Sequence, residues 1–132
     1  MYEHLNSTVS LLNGKLKITP TDVRHDPTIP CFGYLVSCDD FSFFYGGDSV
    51  CVPAEIVSLL IDGSVDRIYQ DVTYEHDYES SCHGSLERLC RDIPESFRSK
   101  VTCMHYDHDF TKQIESCGFH TAVPVKENAY DV

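Results

Sequence analysis

Aspartate and histidine residues recur in this sequence at the positions where predicted strands end. Asp48 follows a pair of glycines after the aromatic run FSFFY, and His105 follows the run KVTCM. Other candidates of this kind are His25, Asp71, His83, Asp107 and His108. Imidazole and carboxylate groups together are suitable ligands for zinc, iron or manganese. Strand ends are also where α/β proteins commonly place ligand-binding groups, because the loops that follow can face solvent.

Each candidate residue also fits an ordinary structural role. Asp48 could cap a helix that begins near Pro53, which is the more common role for an isolated aspartate at such a position. His105 could be a half-buried histidine bonded to the backbone, and His83 and His25 could be loop residues. Taken one at a time, the residues therefore leave both interpretations open.

Several well-known catalytic motifs do not occur in the sequence. It contains no G-x-x-x-x-G-K-[ST] phosphate-binding loop, no G-x-G-x-x-G dinucleotide motif, no G-x-S-x-G nucleophile elbow and no H-E-x-x-H zinc motif. The set of histidines and aspartates is the remaining candidate for chemistry.

The composition is typical of one soluble globular domain. The chain has 132 residues, of which 42% are hydrophobic and 23% are charged, so residues 1–132 can bury one modest core. No apolar run is long enough to span a bilayer and no signal-peptide pattern is visible, so we expect a cytoplasmic protein. The seven cysteines include no C-x-x-C pair, which favours reduced thiols over a zinc ribbon or a disulfide scaffold.

The chain is strongly acidic, with a net charge of -11 from 21 acidic and 10 basic residues. This charge argues against direct binding to nucleic acid, because that binding needs clustered lysine and arginine. It is compatible with a phosphate substrate that is bound through a metal ion. It also suits a protein that binds a basic surface on a partner.

The pattern of apolar residues and turns predicts antiparallel strands followed by alternating helices and strands, which is an α/β (α+β) domain. Two hairpins are predicted, with turns at residues 13–14 and 39–40. One helix is predicted between Pro53 and Gly63, and another begins at Ser85. The predicted elements in chain order are STVSLL, KLKITPTDV, CFGYLVSC and FSFFYGG as strands, VPAEIVSLLIDG as a helix, VDRIYQDVT as a strand, SLERLCRDI as a helix, KVTCMHY as a strand, DFTKQIESCG as a helix and FHTAVPV as a strand. We expect residues 125–132 to be a frayed tail.

The order of the candidate motifs is more specific than any one of them. His25 precedes a strand with Gly-Tyr at residues 33–34, and an aromatic strand then ends in Gly-Asp-Ser at residues 47–49. A strand with an acidic end at Asp71 follows, then His-Gly-Ser at residues 83–85, and last a strand that ends in His105. From about residue 17 to residue 124 this order resembles the C-terminal half of the metallo-β-lactamase fold, nearest to its tRNase Z-like and phosphodiesterase-like branch.

The resemblance implies half of an αββα sandwich with the site of a metal-dependent hydrolase. In that family the aspartate of a Gly-Asp-Thr turn bridges two metal ions, and Asp48 matches it. The last strand-end histidine is a ligand of one metal, and His105 matches it. The histidine of a His-x-Thr turn supports or protonates the leaving group of a phosphodiester, and His83 matches it. The implied metal is zinc, manganese or iron, and further candidates for the site are His25, Asp71, Asp107 and His108.

The sequence departs from the family pattern in its metal ligands. The family's H-x-H-x-D-H motif supplies most of them and precedes the Gly-Asp-Thr turn, but no such motif occurs here. The run from Cys103 to His108 resembles it with the first histidine replaced by cysteine, and this run follows the turn. We therefore interpret it as the strand that ends in His105. The run could still form a new mononuclear site with Asp48.

Two functions fit a shortened domain of this kind. The first is a truncated metallo-β-lactamase-like protein, inactive or impaired alone and without need of a metal. It would act as an acidic binding or inhibitory module on a basic, nucleic-acid-binding protein, as small inhibitors from phages and mobile elements do. The alternative is a metal-dependent phosphodiester hydrolase in which a second copy or a partner chain supplies the missing ligands.

Half of a sandwich would leave one face of its sheet uncovered. The strands FGYLV and FSFFY are unusually aromatic and would supply that face. Since an exposed apolar face must be buried, we expect a homodimer or a protein partner at this surface, and no contact with a membrane.

Overall fold

The computed structural model of the chain describes residues 7–74, 82–105 and 109–123. The strands form one seven-stranded sheet in which their spatial order follows their order in the chain. The strands are β1 (Val9–Leu11), β2 (Leu16–Asp22), β3 (Phe32–Cys38), β4 (Phe41–Tyr45), β5 (Arg67–Asp71), β6 (Val101–Met104) and β7 (His120–Thr121). The helices are α1 (Ala54–Asp62), α2 (Leu86–Asp92) and α3 (Thr111–Ser116), and a 3₁₀ helix covers Glu95–Lys100.

The first four strands are antiparallel neighbours. The turn between β1 and β2 uses left-handed backbone at Leu12, Asn13 and Gly14, with φ of 52°, 56° and 83°, and the turn between β3 and β4 uses it at Asp39. Asparagine, aspartate and glycine tolerate this conformation better than other residues, which is why such pairs form hairpin turns. The two hairpins predicted from the sequence are confirmed.

From β4 to β7 the strands are parallel, and each connection between them contains a helix. Parallel neighbours need such a crossover, because the chain must return to the starting edge of the sheet. The predicted α/β fold class, with antiparallel strands before alternating helices and strands, is therefore confirmed. One consequence matters for function: the carboxyl ends of β4, β5 and β6 lie side by side.

The helices pack on one face of the sheet and form the core with it. Phe44, Ile68 and Val101 lie fully buried on this face, against helix residues such as Leu60 and Ile114. Their burial supplies the main stabilising term, since apolar area removed from water contributes about 25 cal/mol per Å².

The opposite face of the sheet is apolar and partly exposed. Strand register brings its residues into adjacent rows, which include the charged Asp22 and Arg67. We call ten of its apolar and aromatic residues the open face: Val9, Leu11, Leu16, Ile18, Tyr34, Val36, Phe41, Phe43, Tyr45 and Tyr69. Tyr34, Phe41 and Tyr45 keep 43%, 46% and 45% of their surface exposed.

Several element boundaries differ from the prediction. Helix α1 begins at Ala54, after Pro53 with φ of -55° and ψ of 141°, because that backbone is extended rather than helical. The 3₁₀ helix was not predicted, and β7 has two residues instead of seven. The predicted frayed tail, residues 125–132, lies outside the described residues. Within the ranges that the structure describes, no helix has the length and apolar character needed to cross a bilayer.

Candidate metal centre

Asp48 lies in the turn that follows β4. The turn runs through Gly46 and Gly47, and Gly47 has a left-handed φ of 61° that glycine adopts without strain. The N-terminal capping position of α1 is Pro53, and no side chain caps that helix. Asp48 is therefore not a helix cap, and its carboxylate is about half exposed at the edge of the sheet.

His105 follows β6 at the same edge. Its Nε2 atom lies 3.4 Å from Oδ1 of Asp48. Its backbone has φ of 58°, a conformation that non-glycine residues adopt at a cost of about 1–2 kcal/mol. The left-handed backbone turns the chain sharply at the strand end, and the imidazole lies beside the turn of Asp48.

His83 completes a group of three donors. One ligand atom from each of Asp48, His83 and His105 lies within 4.8 Å of the others. The rings of His83 and His105 are stacked, with centroids 5.4 Å apart and an interplanar angle of 19°.

The backbone of Gly84 fixes the position of His83. Its N–H donates to the carbonyl of Ser49 at 3.0 Å, and its carbonyl accepts from the N–H of Thr73 at 2.6 Å. A Cβ atom at residue 84 would lie 2.8 Å from the carbonyl oxygen of Val50 and 3.0 Å from that of Asp71. A glycine is therefore required next to His83 for the loop to approach β5 this closely.

Asp71, at the end of β5, supports His83 from within the protein. Its side chain is fully buried, and Oδ2 lies 2.5 Å from Nδ1 of His83 and accepts from the N–H of Ser49 at 3.3 Å. Burial raises the pKa of the Asp71 carboxyl, and the hydrogen bond to His83 opposes part of that rise. A carboxylate at Nδ1 fixes the orientation and tautomer of the ring, so that Nε2 is directed to the cluster.

His25 lies at the border of the site. Its Nδ1 atom is 2.7 Å from the carbonyl oxygen of Cys82, and its ring meets that of His83 edge to face at 5.3 Å. The rings of His25, His83 and His105 thus contact one another in sequence. His25 is not one of the three residues whose ligand atoms cluster. Asp107 and His108, the other two residues singled out from the sequence, lie outside the described residues.

The donor set fits a divalent transition metal. One carboxylate and two imidazoles are ligands that zinc, manganese and iron accept, and three protein ligands are the usual number at a catalytic zinc. The residues that would hold the ion are Asp48 and His105, and His83 lies beside them.

Sequence reasoning overlooked Ser49 and Gln70, which are buried beside the site. Gln70 occupies a core-facing position of β5, two residues after the buried Ile68. A polar residue at an apolar position of a strand was the available signal, because a buried amide needs hydrogen-bonding partners.

Solved structures with a similar fold are metallo-β-lactamase fold proteins. The metallo-β-lactamase fold protein YhfI from Bacillus subtilis is 14% identical, with a TM-score of 0.64 over 89% of this chain and 48% of that one. The short form of human tRNase Z is 15% identical, with a TM-score of 0.56 over 90% of this chain and 43% of that one. Zn²⁺-bound PqqB from Methylobacterium extorquens is 12% identical, with a TM-score of 0.58 over 89% of this chain and 51% of that one. The chain thus has the metallo-β-lactamase type of fold and spans about half the length of these structures.

Comparison at the level of sequence identifies a family. No curated protein matches the chain. Residues 2–128, which are nearly the whole chain, match the family described as anti-Pycsar protein Apyc1. The chain therefore belongs to the anti-Pycsar protein Apyc1 family.

Proposed function

We propose that the chain acts against Pycsar, as its family description states, by metal-dependent hydrolysis of a phosphodiester. The observation that carries this proposal is the meeting of ligand atoms from Asp48, His83 and His105 within 4.8 Å at the carboxyl ends of the parallel strands. Side chains that served only to stabilise the fold would not need to place two imidazoles and a carboxylate together where all three are partly exposed to solvent.

A bound divalent ion supplies Lewis-acid chemistry, since it activates water and neutralises charge on a phosphate. Asp48 and His105 hold that ion in our proposal. His83 is the proton donor: in the imidazolium form Nδ1–H donates to Asp71, and the proton on Nε2 passes to the leaving oxygen when the P–O bond breaks. A second chain supplies the remaining ligands.

The second chain in this proposal is another copy, packed on the open face. Two chains of net charge -11 repel each other unless they meet where the charge is low. The ten residues of the open face carry no charge, and Asp22 is the acidic residue that the register of β2 and β3 places on the same side of the sheet. Self-association through these residues therefore brings few like charges together.

The test of self-association is the mass in solution by light scattering. We expect a dimer that Tyr45→Lys converts to a monomer, because the substitution places a charge in an apolar interface. Ile61→Lys on α1 is the matched control, since Ile61 is 47% exposed on the helical side. A monomeric wild-type protein contradicts the dimer.

The test of the activity is hydrolysis of bis(4-nitrophenyl) phosphate with added Mn²⁺ or Zn²⁺. We expect Asp48→Ala to abolish the metal-dependent rate and Asp40→Ala, in the turn after β3, to leave it unchanged. A rate that survives Asp48→Ala contradicts the proposal.

A second candidate is inhibition by binding, which the net charge of -11 and the exposed aromatic residues of the open face favour. In that case the acidic chain occupies a basic surface of a protein partner and needs no metal. Cells that carry Pycsar distinguish the two candidates. Asp48→Ala retains the anti-Pycsar effect if binding is the mechanism, and it loses the effect if hydrolysis is the mechanism.

A further inference from the structure

We propose that Gln70 is a positioning residue that fixes the turn carrying Asp48. The inference rests on the metal site proposed above, because its functional consequence is the distance between Asp48 and the two histidines. Gln70 itself contacts neither histidine in the described hydrogen bonds and acts through the backbone of the turn.

A single carboxamide joins the turn to the end of β5. The Nε2 group of Gln70 donates to the carbonyl of Ser49 at 3.1 Å and to the hydroxyl of Ser49 at 2.9 Å. It also lies 3.2 Å from the carbonyl oxygen of Asp71, which accepts from it. Since Ser49 directly follows Asp48, these bonds hold the residue next to the carboxylate ligand.

The other end of the turn packs against the same side chain. A Cβ atom at Gly46 would lie only 2.7 Å from Oε1 of Gln70 and 3.2 Å from the hydroxyl of Ser49. The N–H of Gly46 donates to the carbonyl of Tyr69 at 2.9 Å. The turn from residue 46 to residue 49 is therefore held at both ends by β5, and Gln70 lies between the two ends.

A buried glutamine at this position lowers stability, and core packing alone does not account for its presence. Gln70 is 1% exposed, and within the described part of the chain its Oε1 atom has no hydrogen-bond partner. An apolar residue would bury the same volume without an unpaired oxygen. The bonds from Nε2 to the turn are what the amide provides and an apolar residue does not.

Gln70→Met tests this role, because methionine has a similar length and volume but cannot donate a hydrogen bond. The matched control is Gln113→Met, at an exposed position of α3. Two measurements are made on the full chain: hydrogen exchange of backbone amides without metal, and titration with Co²⁺, whose absorption spectrum reports coordination.

In the variant Gln70→Met, we expect faster exchange of the Ser49 and Gly84 amides while Ile68 and Val101 in the core remain protected. We expect Co²⁺ to bind about 10–100-fold more weakly and with an altered spectrum, as is typical for loss of a supporting hydrogen bond behind a ligand. Gln113→Met should match the wild type in both measurements.

The two measurements separate this proposal from the proposed function. If wild-type protein does not bind Co²⁺, the metal site is wrong, and exchange at Ser49 still decides whether Gln70 fixes the turn. If exchange at Ser49 is unchanged in Gln70→Met, the positioning role is overturned whatever the metal result. Uniformly faster exchange, including the core amides, also overturns it, because the effect is then one of overall stability.

Discussion

The carboxylate of Asp71 lies directly behind the imidazole of His83, with Oδ2 2.5 Å from Nδ1, and it is fully buried. Its second oxygen, Oδ1, has no hydrogen-bond partner in the described part of the protein. Burying a carboxylate that is only partly paired costs free energy. The arrangement therefore favours the orientation of His83 at the expense of stability, which is a common property of functional sites.

Asp71→Asn separates these two effects. Burial raises the pKa of this carboxyl in the folded protein. The protonated carboxyl therefore adds to the free energy of unfolding below the pKa that it has in the unfolded chain. This contribution is lost as pH rises through its pKa in the folded protein. At neutral pH we expect the variant to be at least as stable as the wild type in urea unfolding. We expect its phosphodiester hydrolysis to fall about 10–100-fold, because His83 loses its ionised support.

Asp66→Asn is the matched control for that experiment, since Asp66 accepts a hydrogen bond from the N–H of Ser42 away from the site. It should leave hydrolysis unchanged. Wild-type activity in Asp71→Asn would show that His83 does not depend on this carboxylate.

Gly84→Ala tests whether the close approach of the His83 loop is required. The new Cβ would meet backbone oxygens of Val50 and Asp71 at 2.8 Å and 3.0 Å, and overpacking of this kind costs about 1–3 kcal/mol. We expect hydrolysis to fall as well, because the loop must move and His83 moves with it. The measurements are urea unfolding and hydrolysis at matched fractions of folded protein.

Gly63→Ala provides the contrast, since Gly63 has φ of 86° but no atom within 4 Å of a new Cβ. Its cost is that of the left-handed backbone alone, about 1–2 kcal/mol, with hydrolysis unchanged. Equal activity in the two variants would mean that the His83 loop tolerates displacement.

The buried thiol of Cys103 predicts a loss of stability at alkaline pH. Burial raises its pKa from 9.0 to about 12, so the folded protein keeps a proton that the unfolded chain releases above pH 9. The protonated thiol makes its full contribution to the free energy of unfolding below pH 9. Above pH 9 that free energy falls by about 1.4 kcal/mol per pH unit until the pKa of the folded protein is reached. Urea unfolding between pH 8 and pH 11 measures this slope.

Cys103→Ala should reduce that slope, although it lowers stability at every pH by leaving a cavity in the core. Cys38→Ala, at an exposed position, should leave both the slope and the stability nearly unchanged. An unaltered slope in Cys103→Ala would assign the alkaline loss to other groups.

Local signals in the sequence predicted most elements of the fold. Gly63 ends α1 in the left-handed conformation, and the hydroxyl of Ser85 caps α2 by accepting from the N–H of Arg88 at 3.1 Å. These signals are readable because the interactions involve residues a few positions apart.

The supporting parts of the site could not be predicted in the same way. The contacts from Gln70 to Ser49 and from Asp71 to His83 join residues 21 and 12 positions apart. Such contacts depend on the parallel packing of β4 and β5, which fixes the distance between the turn and the strand end. The left-handed backbone of His105 also has no local signal, because histidine does not require that conformation.

The metal content of protein purified without a histidine tag tests the central claim most directly. We predict about one or more equivalents of zinc, manganese or iron by mass spectrometry in the wild type, and loss of that metal in Asp48→Ala. Asp40→Ala should keep the metal. Wild-type protein without metal, or metal that persists in Asp48→Ala, would contradict the account of Asp48 and His105 as ligands of a metal centre beside His83.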